Sequence, residues 1–437
     1  MKDTPIDSSV VAAKIRESDL PSLDNASIRE IVKLVNQIEI ETGEKYIRME
    51  MGVPGLPSPM VGIQAEKAAL DAGVTSIYPN IEGLPQLKEE TSRFVKLFLD
   101  IDVNPKGCIP TVGSLMGGMA SFLVVNRNDR TKEGTLFIDP GFPVQKQQIK
   151  ILGQDYRSFD VYNYRGKKLR EKLKSYLETG MVSSILYSNP NNPSWICFTD
   201  EELKIIGELA TAYDATVIED LAYFGMDFRK QYGKPGQPPY QPTVAKYCDN
   251  YILLISSSKA FSYAGQRVGM LVISDHLYNR RYPDLKRYYT SDLFGHAMVF
   301  GALYALSAGV THTAQYGLHA MLKAVNDGEY NYIEDVREYG ERARMMKQMF
   351  IANGFNIVYD TDIDRPIADG FYFTISFPGM TSGELLENLL YYGISAITLN
   401  ITLSDRTEGL RACVSQVPRT MLPVLEERLQ RFYADFK

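Results

Sequence analysis

Residues 135–139, 184–188, 215–220, 251–255 and 268–273 are short apolar runs, and several are preceded by segments of helical periodicity such as 200–213, which Thr199 and Glu202 cap. A strand that is apolar on both faces must be covered on both, and the helices that connect such strands provide the cover. The expected fold is α/β, with a mostly parallel, doubly wound sheet. Ligands of such sheets gather beyond the carboxyl ends of the strands, so the residues that follow each run are the ones to read for chemistry.

The flanks have a different texture. Residues 1 to about 26 are polar and read as an extended arm, followed by an amphipathic helix with Ile28, Ile31, Leu34, Val35 and Ile38 on one face and Ser27 and Glu30 at capping-box spacing. Prolines and glycines between Met51 and Pro59 forbid regular structure, a helix then stops at Gly73, and a further helix carries Leu84, Leu87, Phe94, Val95 and Phe98. After residue 310 come a long helix near 330–353, a strand within 370–376, a helix near 382–392, a strand within 409–415 and a terminal helix. This predicts an N-terminal arm and small-domain segment (1–59), a large α/β domain (60–310) and a smaller C-terminal α+β domain (311–437) that shares the N-terminal helix.

Composition narrows the function. A chain of 437 residues with 45% hydrophobic and 23% charged residues can bury a sizeable core, and a net charge of −6 leaves no basic footprint for nucleic acid. Cys108, Cys197, Cys248 and Cys413 form no CxxC pair, the opening Met1-Lys-Asp-Thr-Pro5 lacks the apolar core of a secretory signal, and a cytoplasmic location is expected. The apolar stretch 298–310 falls short of the ~18 residues needed to cross a bilayer and reads as a buried helix; no membrane association is expected. His312 and His319 lie two helical turns apart with no third ligand, so no metal is assigned.

The strand ends are chemical. Gly113, Ser114 and Leu115 open a helix with a tight turn whose free N–H groups suit a phosphate. Phe142 follows one strand as a core residue or a ring-stacking platform. The turn Ser188-Asn-Pro-Asn-Asn192-Pro-Ser-Trp195 is too polar and kinked for a core and is placed to hydrogen-bond a ligand. Asp220 at a strand end needs a partner, for which a protonated heteroaromatic nitrogen is suited, and Tyr223 follows it. Ser256, Ser258 and Lys259 close the next strand, with Arg267 eight positions beyond the lysine. In sum, these describe a pocket for a flat, phosphorylated, protonated heterocycle that reacts with an amine, which describes pyridoxal 5'-phosphate.

On these motifs, in this order, the chain resembles the fold-type I aminotransferases of class I and II over roughly residues 28 to 435. The resemblance implies an aminotransferase that passes the amino group of an amino acid to a 2-oxo acid, with 2-oxoglutarate the usual acceptor, by a ping-pong mechanism. It implies Lys259 as the Schiff-base lysine and proton shuttle, Asp220 as the partner of the ring nitrogen, and Asn192 and Tyr223 on the ring hydroxyl. Phe142 matches the stacking position. The phosphate would take Ser114, Leu115, Ser256, Ser258 and Arg267, together with Tyr78 from the neighbouring subunit of a homodimer with shared active sites. Arg411 matches the arginine that grips the substrate α-carboxylate.

The chain departs from the family at Ser194-Trp195, where Thr-Gly is usual; this puts the tryptophan beside the site and among the candidate substrate-binding residues. Arg287 lies near the second arginine of dicarboxylate-specific members, in surroundings that differ, and reads as a surface residue. Another pyridoxal-phosphate reaction on the same fold, a β-elimination, decarboxylation or cyclising lyase, would keep every cofactor residue. A ligand-sensing domain fused to a DNA-binding regulator is the poorer alternative, because the segment ahead of Ile28 is too short for a DNA-binding domain.

Overall fold

A computed structural model describes residues 4–132 and 134–437. The chain divides into two compact units. The first combines the N-terminal segment through Gly55 with Asn191–Ile196 and Arg337–Lys437; the second combines Leu56–Pro190 with Cys197–Val336.

The second unit is built on a seven-stranded sheet. Its strands are β1 (Cys108–Thr111), β2 (Thr135–Asp139), β3 (Tyr156–Asp160), β4 (Ser184–Ser188), β5 (Thr216–Leu221), β6 (Tyr251–Ser256) and β7 (Gly269–Ile273), in the order β1-β7-β6-β5-β4-β2-β3. All neighbours are parallel except at β7, which runs antiparallel to both β1 and β6. The five apolar runs are all strands of this sheet, and β5, β6 and β7 are buried at every residue, as strands covered on both faces must be. Val217, Ile218, Ile252, Leu253, Leu271 and Val272 are fully buried, each worth roughly 1.5–3 kcal/mol relative to exposure. Helix Asp200–Ala212 opens on the capping box of Thr199 and Glu202.

The first unit carries a four-stranded antiparallel sheet of β8 (Asn356–Ile357), β9 (Tyr372–Ser376), β10 (Ile397–Thr398) and β11 (Leu410–Cys413), in the order β10-β11-β9-β8. Helix Ile28–Thr42 begins at the Ser27–Glu30 capping box and buries Ile31, Leu34, Val35 and Ile38. Phe350, Phe355, Phe377, Tyr392 and Phe432 pack ring to ring with centroids 5.0–5.4 Å apart.

Two expectations need correction. The polar N-terminal segment is not an extended arm throughout: Ser8–Glu17 is a helix, started by the Asp7 carboxylate, which accepts from Ser9 N, and anchored by Val11, which is fully buried along with Ile6. One capping acid and a few apolar residues suffice there because tertiary burial, not periodicity, holds the helix. The stretch 298–310 is not a uniformly buried helix either. Ala297–Leu303 is π-helical, Tyr304–Ser307 is α-helical, and while Met298 and Val299 are buried, Phe300, Tyr304 and Leu306 are exposed. An apolar composition records that a helix is covered somewhere, and it does not separate a core from a surface patch.

Candidate active site

The strand register gathers the candidate residues of the second unit at one end of its sheet. Thr111 at the end of β1 pairs with Gly269 at the start of β7, and Gly269 pairs with Ser256 at the end of β6. Leu221 at the end of β5 pairs with Ile255, and Asp220 pairs with Ser188 at the end of β4. The Gly113 turn, Arg267, the Ser256–Lys259 segment and Asp220 therefore leave the same edge of one rigid sheet.

At β1 the chain turns into helix Gly113–Val125. Gly113 has φ +68°, a left-handed backbone that a side chain would strain, and a Cβ there would lie 2.6 Å from the Arg267 guanidinium. Ser114 and Leu115 occupy the first turn, where backbone N–H groups have no helical acceptor. Arg267 is exposed and also left-handed at φ 52°; its guanidinium donates to Ala264 O at 2.8 Å, and no carboxylate among the described residues pairs with it. A guanidinium with no carboxylate partner among the described residues, beside a helix's first-turn N–H groups, is chemistry that suits a small dianion. Ser256 is buried and its hydroxyl accepts from Ser258 N at 3.1 Å; Ser258 and Lys259 are half-buried on the short helix Ser257–Ala260.

Asp220 is buried. Its Oδ2 accepts from Gln145 Nε2 at 2.9 Å and its Oδ1 from Ala222 N at 3.1 Å. Burial pushes the carboxyl up to about 6, and the two hydrogen bonds only partly oppose that. A carboxylate supported by a neutral amide and one N–H fits a cationic ring nitrogen well. Tyr223 is buried two residues past β5. Phe142 is half-buried immediately ahead of helix Pro143–Ile151, three residues beyond β2. That helix supplies Gln145, the Asp220 partner, which the sequence alone did not single out.

Tyr78 is 90% exposed, just beyond the turn Val74–Ser76. Arg287 is exposed, its guanidinium over the Tyr288 ring at 5.3 Å.

The remaining candidates belong to the first unit. Arg411 on β11 is 2% exposed, donates through Nη2 to Glu50 O at 2.6 Å and through Nη1 to Asn192 Oδ1 at 3.3 Å, and lies 4.5 Å above the Tyr372 ring. No carboxylate among the described residues pairs with it, and its Nε has no hydrogen-bond partner. A buried guanidinium without an anion is costly, so this one is equipped to receive a carboxylate from outside the chain. Trp195 is fully buried.

The phosphate seat, the partly supported acid and the half-buried lysine fit pyridoxal phosphate by the chemistry of their donors. Among the described residues no helix is long and apolar enough to cross a membrane.

Comparison with known proteins agrees with this chemistry. The profile of the family described as aminotransferase class I and II matches residues 44–429. Relatives include a probable aspartate aminotransferase of Methanocaldococcus jannaschii, 27% identical over 80% of each chain, and an LL-diaminopimelate aminotransferase of Aquifex aeolicus, 26% identical over 90% of this chain and 93% of the other. Among solved structures, an alanine aminotransferase of Pyrococcus furiosus superposes with a TM-score of 0.75 at 19% identity, covering 93% of this chain and 97% of that one.

Proposed function

The chain belongs to the class I and II aminotransferases, enzymes dependent on pyridoxal phosphate, and from that premise we propose that it passes the amino group of an amino acid to 2-oxoglutarate in two half-reactions at one site. The buried Arg411 guanidinium, with no carboxylate partner among the described residues, carries this reading: it suits a substrate whose α-carboxylate is common to donor and acceptor. When bound, pyridoxal phosphate supplies the carbonyl that takes up the amino group and the protonated ring that accepts the electrons of the substrate Cα–H bond.

The chain's residues do the rest. Lys259 Nζ anchors the cofactor and, once displaced by substrate, moves the proton from the substrate Cα. Asp220 keeps the ring nitrogen protonated, and Gln145 fixes the carboxylate that does so. The Ser114 and Leu115 N–H groups, Ser256, Ser258 and Arg267 hold the phosphate. Tyr223 and Asn192 hydrogen-bond the ring hydroxyl, and Phe142 stacks on the ring. Arg411 orients the substrate through its carboxylate.

The working unit of this reading is a homodimer in which Tyr78 reaches the neighbouring subunit's phosphate. Its support is a set of exposed apolar side chains on the second unit: Ile77, Tyr78, Phe300 and Tyr304. The names of the relatives point to aspartate, alanine and diaminopimelate as donors to try first. A panel of amino acids, each added alone to the purified holoenzyme, tests the assignment: productive donors convert the cofactor spectrum, and failure of every α-amino acid would refute it.

A further inference from the structure

We propose that Trp195 is a positioning residue for the Arg411 guanidinium, acting through the ring of Tyr372. The inference rests on the reading of Arg411 as the carboxylate-binding arginine, and every residue it uses lies in the first unit.

Trp195 holds φ 63°, the left-handed region that bulky side chains avoid. It is nonetheless fully buried, and the space for its indole exists because position 370 is glycine: a Cβ on Gly370 would fall on the indole Cε2, Nε1 and Cζ2 atoms. A strained backbone and a cut-away neighbour together accommodate one large ring, which argues that the ring's place is specified. The ring meets Tyr372 edge to face, with centroids 6.2 Å apart and planes at 66°. Tyr372 is closed in on another side by Gly52, where a Cβ would fall on the tyrosine hydroxyl, and its face carries the Arg411 guanidinium at 4.5 Å. The segment Asn191–Ile196 thus reaches Arg411 twice, directly through Asn192 and indirectly through Trp195. The segment is closed into a turn, since Trp195 N donates to Asn191 O at 2.9 Å and Ser194 Oγ to Asn191 Oδ1 at 2.6 Å. A flat guanidinium binds a carboxylate through two parallel hydrogen bonds only while its plane is held, and Tyr372 sets that plane.

The test compares Trp195→Gly, which suits the backbone angle but removes the ring, with Trp195→Phe, Gly370→Ala and Arg411→Lys, all as holoenzyme. Readouts are kcat, KM for donor and acceptor, cofactor content, and the Kd of succinate, a non-reacting carboxylate probe. The expectation is a rise of roughly 10-fold in both KM values and in the succinate Kd for Trp195→Gly, the scale of one lost charged hydrogen bond, with kcat within about threefold and cofactor retained. Trp195→Phe should recover most of the loss, and Gly370→Ala should mimic Trp195→Gly. If Arg411→Lys leaves succinate binding intact, the reading of Arg411 itself fails. If Arg411→Lys abolishes binding while Trp195→Gly leaves it unchanged, or lowers only kcat and thermal stability, the positioning role alone is overturned. Should Trp195→Gly not fold, Trp195→Leu is read by the same criteria.

Discussion

Gln145 donates its side-chain amide to Asp220 Oδ2 over 2.9 Å, and both residues are buried. A neutral partner holds the carboxylate in place without neutralising it, which leaves its charge for the ring nitrogen that the proposed function assigns to it. Asp220→Asn is therefore expected to lower kcat by about 10²-fold or more with the cofactor still bound, and Gln145→Leu by roughly 10-fold. Steady-state rates normalised to cofactor content check both; a near-normal Asp220→Asn enzyme would mean that something else keeps the ring protonated.

Asp220 also makes the apoprotein pH-sensitive. Its carboxyl is raised to about 6 in the folded state from an ordinary value of 3.8, so protonation favours the fold. That contribution is complete below about pH 4 and is lost as pH rises through about 6, on the order of 2–3 kcal/mol in all. Thermal unfolding of apoprotein between pH 4.5 and 7.5 should show Asp220→Asn gaining on the parent as pH rises. Pyridoxal phosphate, whose cationic ring favours the carboxylate, should narrow that gap.

Asp139 and Lys146 form an ion pair at 2.5 Å with both side chains almost wholly buried, and the Lys146 ammonium lies 4.6 Å from the Phe137 ring centre. Lys146→Met leaves a buried carboxylate without its counterion and should destabilise the protein by about 3–5 kcal/mol at neutral pH. The double change Asp139→Leu/Lys146→Met should recover much of this. Denaturant unfolding of the three proteins at pH 7.5 is the check.

A shared site in a homodimer predicts that Tyr78→Phe weakens cofactor retention. Mixing a Tyr78→Ala subunit with a Lys259→Ala subunit should restore activity, because one of the two sites in the hybrid would carry both intact residues. Hybrids as inactive as their parents would place Tyr78 outside the neighbouring site.

Much of this was legible in the sequence, for physical reasons. Strands buried on both faces cannot alternate in polarity, so β5, β6 and β7 read as apolar runs, and the capping boxes at Ser27 and Thr199 are local chemistry that needs no tertiary information. The succession of strand ends placed Asp220, Lys259 and Arg267 at one edge of the sheet before any register was known. Gln145 was harder to see, because a glutamine in a first turn looks like any solvated residue until its distance to Asp220 is measured. The helix Ser8–Glu17 escaped because one buried face near Val11 holds it. The support of Arg411 by Tyr372 and Trp195 depends on ring geometry, which spacing along a chain does not encode.

The most direct test of the central claim is a single-turnover experiment. Holoenzyme is mixed with a productive amino acid and no 2-oxo acid, and the oxo acid formed is counted against the bound cofactor. One oxo acid per site is expected, with conversion of the cofactor to its amine form, a halt until 2-oxoglutarate is added, and no turnover in Lys259→Ala. Continuous product formation without an acceptor would contradict it and make this chain a lyase on the same fold.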